Sequence, residues 1–351
     1  MPQQKFITID IGSAWTKAFL AGLDSENNIS IEGSARLPTS SGNFSFATSL
    51  LLKKIGQEEA PKIFVSSISQ VEDVAKKYKA AFVAEEEAAT ALVKFIKKGD
   101  ASVSVLDAGA SNLHESIHAG DVGKYLTFGS SEIFLENFFG KKRFKPHLLP
   151  IDTKELEIEE AFLRHVFISK LSNQNTSKKM LIIATGGMIS GAPRLSRIAL
   201  LILDVLGPGV VAQVVYDREF FLPSFGALLA KYKQFEMATP VGWLDDLGAF
   251  VSLGGTKRLE LDWGYSQMQQ IELEDGEISL IPAPKEQKIE MSILGDKKEK
   301  KKYSVNGGSL GVVLDARQKP LPLDFGHSES RRLMSSWLKE LEQAEINKEA
   351  F

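Results

Sequence analysis

The stretch IDIGSAWTK, residues 9–17, decides the fold. It includes the end of Phe6–Ile11, where apolar and polar residues alternate, and this pattern predicts a strand. The small residues 12–14 turn the chain, and a returning strand is predicted over Thr16–Ala21. A strand pair differs from the strand–turn–helix of a P-loop. The segment therefore predicts the start of a β-meander, with Asp10 at the end of its first strand.

The same hairpin has the composition of a phosphate-binding turn. Phosphates are bound by backbone N–H groups, and a tight turn of small residues presents these groups outward. Gly12 allows close approach, Ser13 and Thr16 offer hydroxyl donors, and Lys17 supplies a positive charge. Asp10 is suited to hold Mg²⁺ through the waters of that ion. An ordinary hairpin with a turn aspartate is the alternative for this segment alone.

A second copy of this pattern follows about a hundred residues later. The apolar strand Ala101–Leu106 is followed by a turn and by a returning strand predicted over Leu113–His118. The turn consists of Asp107, Ala108, Gly109, Ala110, Ser111 and Asn112. Two such turns facing each other would hold the β- and γ-phosphates of a nucleotide between them. Asp107 would then be the second carboxylate beside the metal.

A third segment lies where a predicted strand, Met180–Thr185, runs into a double glycine. Backbone without side chains lets a flat adenine or a ribose lie against it. Gly186, Gly187 and Met188 are therefore expected at the nucleoside end of the same site.

In this order, the three segments resemble the phosphate-1, phosphate-2 and adenosine motifs of the actin, sugar-kinase and Hsp70 superfamily. The resemblance implies an α/β fold of two duplicated ribonuclease-H-like (actin-fold) halves around a cleft that binds ATP and Mg²⁺. Residues 85–89 and 217–230 resemble the two connecting helices of that superfamily. Both segments carry the small residues that a close helix crossing needs.

Within the superfamily, the chain is similar to the MutL-like proteins associated with glutamate mutase, which are unrelated to the mismatch-repair proteins of that name. The similarity covers residues 10–17, 184–188, 216–230 and the tail 307–322. It implies a nucleotide-dependent accessory protein that acts on a partner protein, in the manner of reactivating factors for B₁₂ enzymes.

The second turn departs from the superfamily pattern. That pattern has two glycines followed by threonines and an aspartate, where this chain has Gly109-Ala110 and then Asn112. The missing hydroxyls and carboxylate imply slow hydrolysis or none, while binding is retained. Glu85 matches the position from which related ATPases orient the attacking water, although a solvated helix N-terminus explains it equally well. Glu85 and Asp107 are therefore the candidate catalytic residues.

The pattern along the chain divides it into four parts. Residues 1–100 and 101–235 each place strands before helices and are predicted to form the two halves. Residues 240–326 carry short alternating runs that predict a small β-rich domain, a sandwich or a barrel. A closing helix with Trp337 on its apolar stripe is predicted within 327–351. That helix is expected to dock on the body, with a partner groove as the alternative. If the protein is an accessory factor, this helix and the β-rich domain would be its partner-facing parts.

The composition excludes several classes of function. Of the 351 residues, 43% are apolar and 25% are charged, as in ordinary globular proteins. The net charge of −3 gives no positive field to attract nucleic acid. The absence of cysteine excludes disulfides, cysteine–zinc sites and iron–sulfur clusters. No signal peptide or membrane-length apolar run is present, so a soluble cytoplasmic protein is expected.

Two other functions remain compatible with the sequence. One is an actin-like scaffold or filament protein of the division or pilus-assembly type. The other is a small-molecule kinase. Only 96 residues lie between Asp10 and Asp107, which leaves little room for outer subdomains or a substrate pocket. The electron-transferring activators of the same fold are disfavoured because their cluster requires cysteines.

Overall fold

The protein has a mixed α/β fold, seen in a computed structural model. The structure describes residues 4–39, 42–56, 59–96, 102–110, 112, 118–172, 179–254, 258–264, 267–294, 300–319, 321 and 328–349. The strands are β1 (Gln4–Ile11), β2 (Trp15–Leu23), β3 (Asn28–Pro38), β4 (Lys62–Ser66), β5 (Ala81–Ala84), β6 (Ser102–Asp107), β7 (Lys179–Thr185), β8 (Val211–Asp217), β9 (Thr239–Pro240), β10 (Leu244–Ser252), β11 (Arg258–Asp262), β12 (Met268–Glu272), β13 (Ile278–Ile281), β14 (Lys288–Leu294), β15 (Lys300–Asn306) and β16 (Gly311–Asp315).

Ten helices are found in the described part of the chain. They are α1 (Phe44–Ile55), α2 (Val71–Lys77), α3 (Glu85–Ile96), α4 (Ala119–Gly123), α5 (Glu132–Phe144), α6 (Thr153–Ser172), α7 (Gly187–Ser190), α8 (Leu195–Val205), α9 (Leu222–Lys231) and α10 (Ser328–Glu349). Within the described residues, no helix is both long and apolar enough to cross a membrane.

The first half is built on the predicted meander. Its sheet has the order β5-β4-β1-β2-β3-β9, with β1 antiparallel to β2 and parallel to β4. Ile7, Ile9 and Ile11 pack under α1 and α2, while Phe6 on the opposite face contacts the second connecting segment. Helices cover both faces, so every residue of 6–11 is buried although the sequence alternates.

The second half repeats part of this order. Strands β6, β7 and β8 are mutually parallel neighbours, as β1, β4 and β5 are in the first half. The strand that ends in Asp107 therefore takes the place of the strand that ends in Asp10. Of the returning strand predicted over 113–118, residues 113–117 lie outside the described residues. The strand order is consistent with duplicated ribonuclease-H-like halves.

The boundary predicted near residue 240 does not separate the sheets. Three strands of 240–326 join the second half, whose full order is β13-β16-β10-β8-β7-β6. The other four form a sheet of their own, in the order β12-β11-β14-β15. Leu259 and Ile289 of this small sheet share a core with Ala249 and Val251 of β10. The β-rich region is thus a sandwich that uses the second sheet as one of its layers.

The predicted connecting helices, α3 and α9, cross between the two halves. A Cβ placed on Gly226 of α9 would lie 2.5 Å from the backbone oxygen of Ala88 in α3, so the crossing is close. Beside it, Phe95 and Phe225 meet edge to face with ring centroids 5.3 Å apart. Within the second connecting segment, 217–230, the helix begins only at Leu222. Small residues at this crossing therefore bring the halves together, as expected.

The closing helix packs its Trp337 stripe on the body, as expected, and not on a partner groove. Trp337 is 8% exposed, and its indole N–H donates to the Gly276 carbonyl at 2.8 Å. The Arg317 guanidinium lies 4.6 Å from the indole centroid. Further along α10, the buried Glu345 carboxylate accepts the N–H groups of Leu195 and Ser196, at the start of α8. These contacts make α10 an integral part of the second half.

Candidate functional site

The hairpin between β1 and β2 presents its tip to a cleft between the halves. The Gly12 N–H donates to the Trp15 carbonyl at 3.0 Å, which closes the turn. The Thr39 hydroxyl donates to the Gly12 carbonyl at 2.8 Å and fixes the turn from behind. Ser13 and Ala14 then form the tip, and both line the cleft. Ser13, predicted as a hydroxyl donor to phosphate, thus lies at the cleft, and that role stays a prediction.

Asp10 and Lys17 are paired across the hairpin. They are opposite each other in the β1–β2 register, and Lys17 Nζ lies 2.7 Å from Asp10 Oδ2. Both side chains are more than nine-tenths buried and line the cleft. Lys17 Nζ also lies 3.1 Å from the centroid of the Phe220 ring. Asp10, the predicted metal ligand, and Lys17, the predicted phosphate contact, are therefore in direct contact in the cleft.

Thr16 is not in the cleft, and its predicted role as a phosphate donor is wrong for this structure. Successive residues of a strand point to opposite faces, and Trp15 and Lys17 take the cleft face. Thr16 is fully buried, and its hydroxyl is hydrogen-bonded to the Thr39 hydroxyl at 3.0 Å. It stabilises the hairpin from the other side of the sheet.

The second turn brings Asp107 into the same cleft. Asp107, Ala108, Gly109 and Ala110 all line it, whereas Ser111 lies outside the described residues. Asn112 is buried, and its amide donates to the carbonyls of Asp107 and Gly109 at 2.9 and 3.0 Å. Asn112 therefore holds the turn together, and it is not among the residues that line the cleft.

The two glycines of the third segment have different roles. Gly186 has φ +103°, and a Cβ there would lie 2.6 Å from the Gly109 nitrogen, so it allows β7 to pack against the second turn. It does not line the cleft. Gly187 and Met188 do line it, and no atom of the described residues lies within 4 Å of where a Cβ of Gly187 would be. Gly187 therefore presents bare backbone to the cleft, and its contact with a nucleoside stays a prediction.

Four carboxylates line this cleft, those of Asp10, Glu85, Asp107 and Glu159, and the last of them is paired with Lys142. Burial is the main cause that raises the pKa of Asp107, and the Asp10 charge adds to it against the Lys170 and Lys17 cations. The pKa of Glu85 is also raised, mainly because burial in the cleft disfavours its charged form. The charges of Asp10 and Asp107 add to this shift, and a hydrogen bond to Ser67 opposes it. The site therefore concentrates negative charge beside Lys17.

The carboxylates fit a Mg²⁺ ion that arrives with its nucleotide. Among the described side chains, no group of three or more His, Asp or Glu is arranged to hold a metal ion directly. Asp107 Oδ1 is buried and has no hydrogen-bond partner among the described residues. An oxygen in that position suits a ligand that completes its contacts. Mg²⁺ bound mainly by phosphates and waters needs only one or two protein carboxylates, and Asp10 and Asp107 would provide them.

Part of the cleft wall was not predicted from the sequence. The end of α5 and the loop after it contribute the residues Lys142, Pro146, His147, Leu148 and Leu149. The buried Lys142 ammonium is paired with Glu159 of α6 and donates to the Leu148 carbonyl. Phe220 is also in the wall, with a left-handed φ of 56°, which is unusual for a bulky residue. The basic run 141–145 was the only sequence signal for this wall.

Asp217, at the end of β8, links the third segment to the crossing helices. Its carboxylate accepts the N–H groups of Phe221 and Leu222 at 2.9 Å, which caps the start of α9. It also accepts the Thr185 hydroxyl at 3.0 Å. Burial nevertheless raises the pKa of Asp217 from 3.8 to about 6.

Asp217→Asn is expected to change how stability depends on pH. Because the folded-state pKa is the higher one, the folded protein holds this proton more tightly, and the stabilisation is lost as pH rises from about 4 through 6. The shift corresponds to about 3 kcal/mol. The wild type should therefore lose about 3 kcal/mol relative to the variant between about pH 4 and pH 7. Urea unfolding of both proteins across this range measures it, and a difference that is independent of pH would contradict the assignment.

Several solved structures are similar to this chain. Component A of the (R)-2-hydroxyglutaryl-CoA dehydratase of Acidaminococcus fermentans matches with 15% identity, covering 66% of this chain and 99% of its own, at a TM-score of 0.38. The activator of the 2-hydroxyisocaproyl-CoA dehydratase of Clostridium difficile, with bound ADPNP, matches with 14% identity, 67% and 99% coverage, and a TM-score of 0.37. An inorganic polyphosphate/ATP-glucomannokinase from an Arthrobacter strain matches with 14% identity, 66% and 98% coverage, and a TM-score of 0.34.

Sequence comparisons give no match: neither a protein-family model nor a curated protein matches the chain. The similar structures are members of the actin, sugar-kinase and Ppx/GppA superfamily. Because their identities and TM-scores are low, we take the fold from the strand order and the chemistry from the cleft itself.

Proposed function

We propose that this protein binds ATP with Mg²⁺ in the cleft between its halves and acts as a nucleotide-dependent accessory or reactivating factor for a partner protein. One observation carries the proposal. Asp10 and Asp107 stand at the ends of equivalent strands in the two halves, and both line one cleft together with Lys17.

The cleft provides a role for each part of a triphosphate. The two turns, at Ser13-Ala14 and at Gly109-Ala110, would hold the phosphates from either half. Lys17 would exchange its contact with Asp10 for a phosphate oxygen. Asp10 would then be free to hold the waters of Mg²⁺, with Asp107 beside it. Bound there, the ion would neutralise phosphate charge.

Slow hydrolysis follows from the second turn. The Asn112 amide is used to hold the turn's own carbonyls, so it offers no donor to a γ-phosphate. The remaining candidate is Glu85, which reaches the cleft beside both aspartates. Its raised pKa makes it a better proton acceptor than an ordinary glutamate at neutral pH, provided that it stays ionised. Glu85 would orient the water.

An accessory role is favoured over the two alternatives. The similarity of residues 184–188 and 216–230 to the MutL-like proteins of glutamate mutase supports it. Because α3 and α9 touch at Gly226 and Ala88, a change of cleft width would rotate the halves about this crossing. The partner would bind the two arrangements of the halves with different affinity. The surface offered to it would be the small four-stranded sheet, since α10 is packed on the body.

Glu85→Gln is expected to abolish the residual hydrolysis while ATP binding persists. Wild-type turnover should be below about one per minute, as in unassisted nucleotide switches. Removing the water-orienting carboxylate should lower it at least about a hundredfold, and the Kd for ATP should change less than about threefold. Phosphate release and calorimetric titration measure the two quantities. Equal turnover in the variant would remove Glu85 from the mechanism, and a phosphorylated small molecule among the products would favour a kinase.

A further inference from the structure

A second chamber adjoins the phosphate cleft. It runs from the hairpin along residues 34–36 of β3 on one side and to Ser190 and Gly191, beyond α7, on the other. Its cavity measures about 610 Å³. Small-molecule sites typically measure about 300–1,000 Å³, so a nucleoside fits. The residues that line both spaces are Trp15, Lys17, His147, Leu149, Gly187 and Phe220.

The chamber has one aromatic wall and one bare wall. Trp15 is half-buried, with the Arg36 guanidinium 5.2 Å from its ring centroid and His147 edge-on at 5.9 Å between centroids. The second half contributes Gly187, whose backbone has no neighbour in the direction of a side chain, and Gly191. An indole beside bare backbone suits a flat, uncharged ring system.

The charges of the chamber also favour an uncharged ligand. Arg218 is paired with Asp245, and Glu219 lies in the same wall. Among the described lining residues, these charges leave Arg36, which is already stacked on Trp15, and Lys17, which lies where the chamber meets the phosphate cleft. A second phosphorylated or carboxylated substrate would require more positive charge than this wall supplies. The negatively charged part of a ligand is therefore expected at Lys17, where the chamber meets the phosphate cleft.

We propose that the purine base and ribose of the bound nucleotide occupy this chamber, with the base stacked on the indole of Trp15. This inference rests on the proposed function. The phosphates then extend past Lys17 towards Asp10 and Asp107. Trp15, in the first half, thus increases the affinity for the base. Gly187, in the second half, provides bare backbone for the nucleoside to lie against. A nucleotide in this pose contacts both halves at each of its ends.

The test uses the fluorescence of Trp15 and two ligands, ATP and tripolyphosphate, which lacks the base. ATP should quench the wild-type emission and tripolyphosphate should not. Trp15→Phe should lose this quench. Trp263→Phe is the matched control because Trp263 lies on the small sheet, with its indole N–H bonded to Gln269 at 3.2 Å, and the quench should remain. A quench that survives in Trp15→Phe would overturn the proposal.

Affinity gives the second measurement. Trp15→Ala should raise the Kd for ATP about tenfold to a hundredfold, the usual effect of losing one base–aromatic stack, and leave the Kd for tripolyphosphate unchanged. Trp15→Leu, which keeps most of the volume, should behave in the same way and serves if the alanine variant unfolds. Equal changes for both ligands, or none for either, would overturn the stacking assignment. If the wild type binds ATP and the Trp15 variants bind both ligands as tightly as the wild type does, this inference fails alone. If the wild type binds no ATP, the proposed function fails.

Discussion

Lys17→Met should weaken ATP binding by about tenfold to a hundredfold. The Lys17 ammonium is the cation that the first half places in the cleft, and charge-assisted hydrogen bonds to a phosphate contribute about 1.5–3 kcal/mol. The same change leaves the buried Asp10 carboxylate without its partner at 2.7 Å. Removing one member of a buried pair costs about 3–5 kcal/mol, so the variant should also be less stable. Calorimetric titration and urea unfolding measure the two effects.

The double variant Asp10→Asn/Lys17→Met separates binding from folding. Without the charge on residue 10, no unpaired carboxylate remains, and most of the lost stability should return. ATP binding should stay lost because the cation is still missing. If the double variant regains ATP affinity together with stability, Lys17 acts only as a structural partner of Asp10, and the phosphate role assigned to it is wrong.

Gly226→Ala should destabilise the protein by about 2 kcal/mol, although alanine is the better helix former. The added Cβ would lie 2.5 Å from the Ala88 backbone oxygen, and neither backbone yields easily. The two connecting helices would have to move apart, which opens the floor of the cleft. The affinity for ATP should therefore fall as well. Thermal or urea unfolding gives the stability change.

Gly140→Ala is the matched control for that substitution. Gly140 is also inside a helix, α5, but it is exposed and no atom lies within 4 Å of where its Cβ would be. There alanine should stabilise the protein by about 0.5–1 kcal/mol. If both substitutions stabilise, α3 and α9 do not cross as closely as described.

The sequence was sufficient for the parts of the site that depend on strand ends. A strand followed by Asp, Gly and small residues appears twice, and Asp10 and Asp107 do come together because equivalent strands end at the same cleft. The small residues of 85–89 and 217–230 correctly predicted a close helix crossing. These features are local in sequence, so a single chain reveals them.

Other features depend on the tertiary fold and were missed. The face of β2 that meets the cleft is set by the sheet, and it turned Thr16 away and Trp15 inward. The cleft wall from Lys142 to Leu149 is formed by the end of α5 and the loop after it, and no sequence motif predicts it. Likewise, the alternation of apolar and polar residues in 240–326 predicted strands. It did not predict that three of these strands extend the sheet of the second half.

Calorimetric titration of the wild-type protein with ATP in excess Mg²⁺ tests the central claim most directly. A cleft in which Lys17 and two aspartates converge should bind ATP at one site with a micromolar Kd, and removal of Mg²⁺ should weaken the binding. No heat of binding up to millimolar ATP, checked by a thermal shift that also stays at zero, would contradict the account.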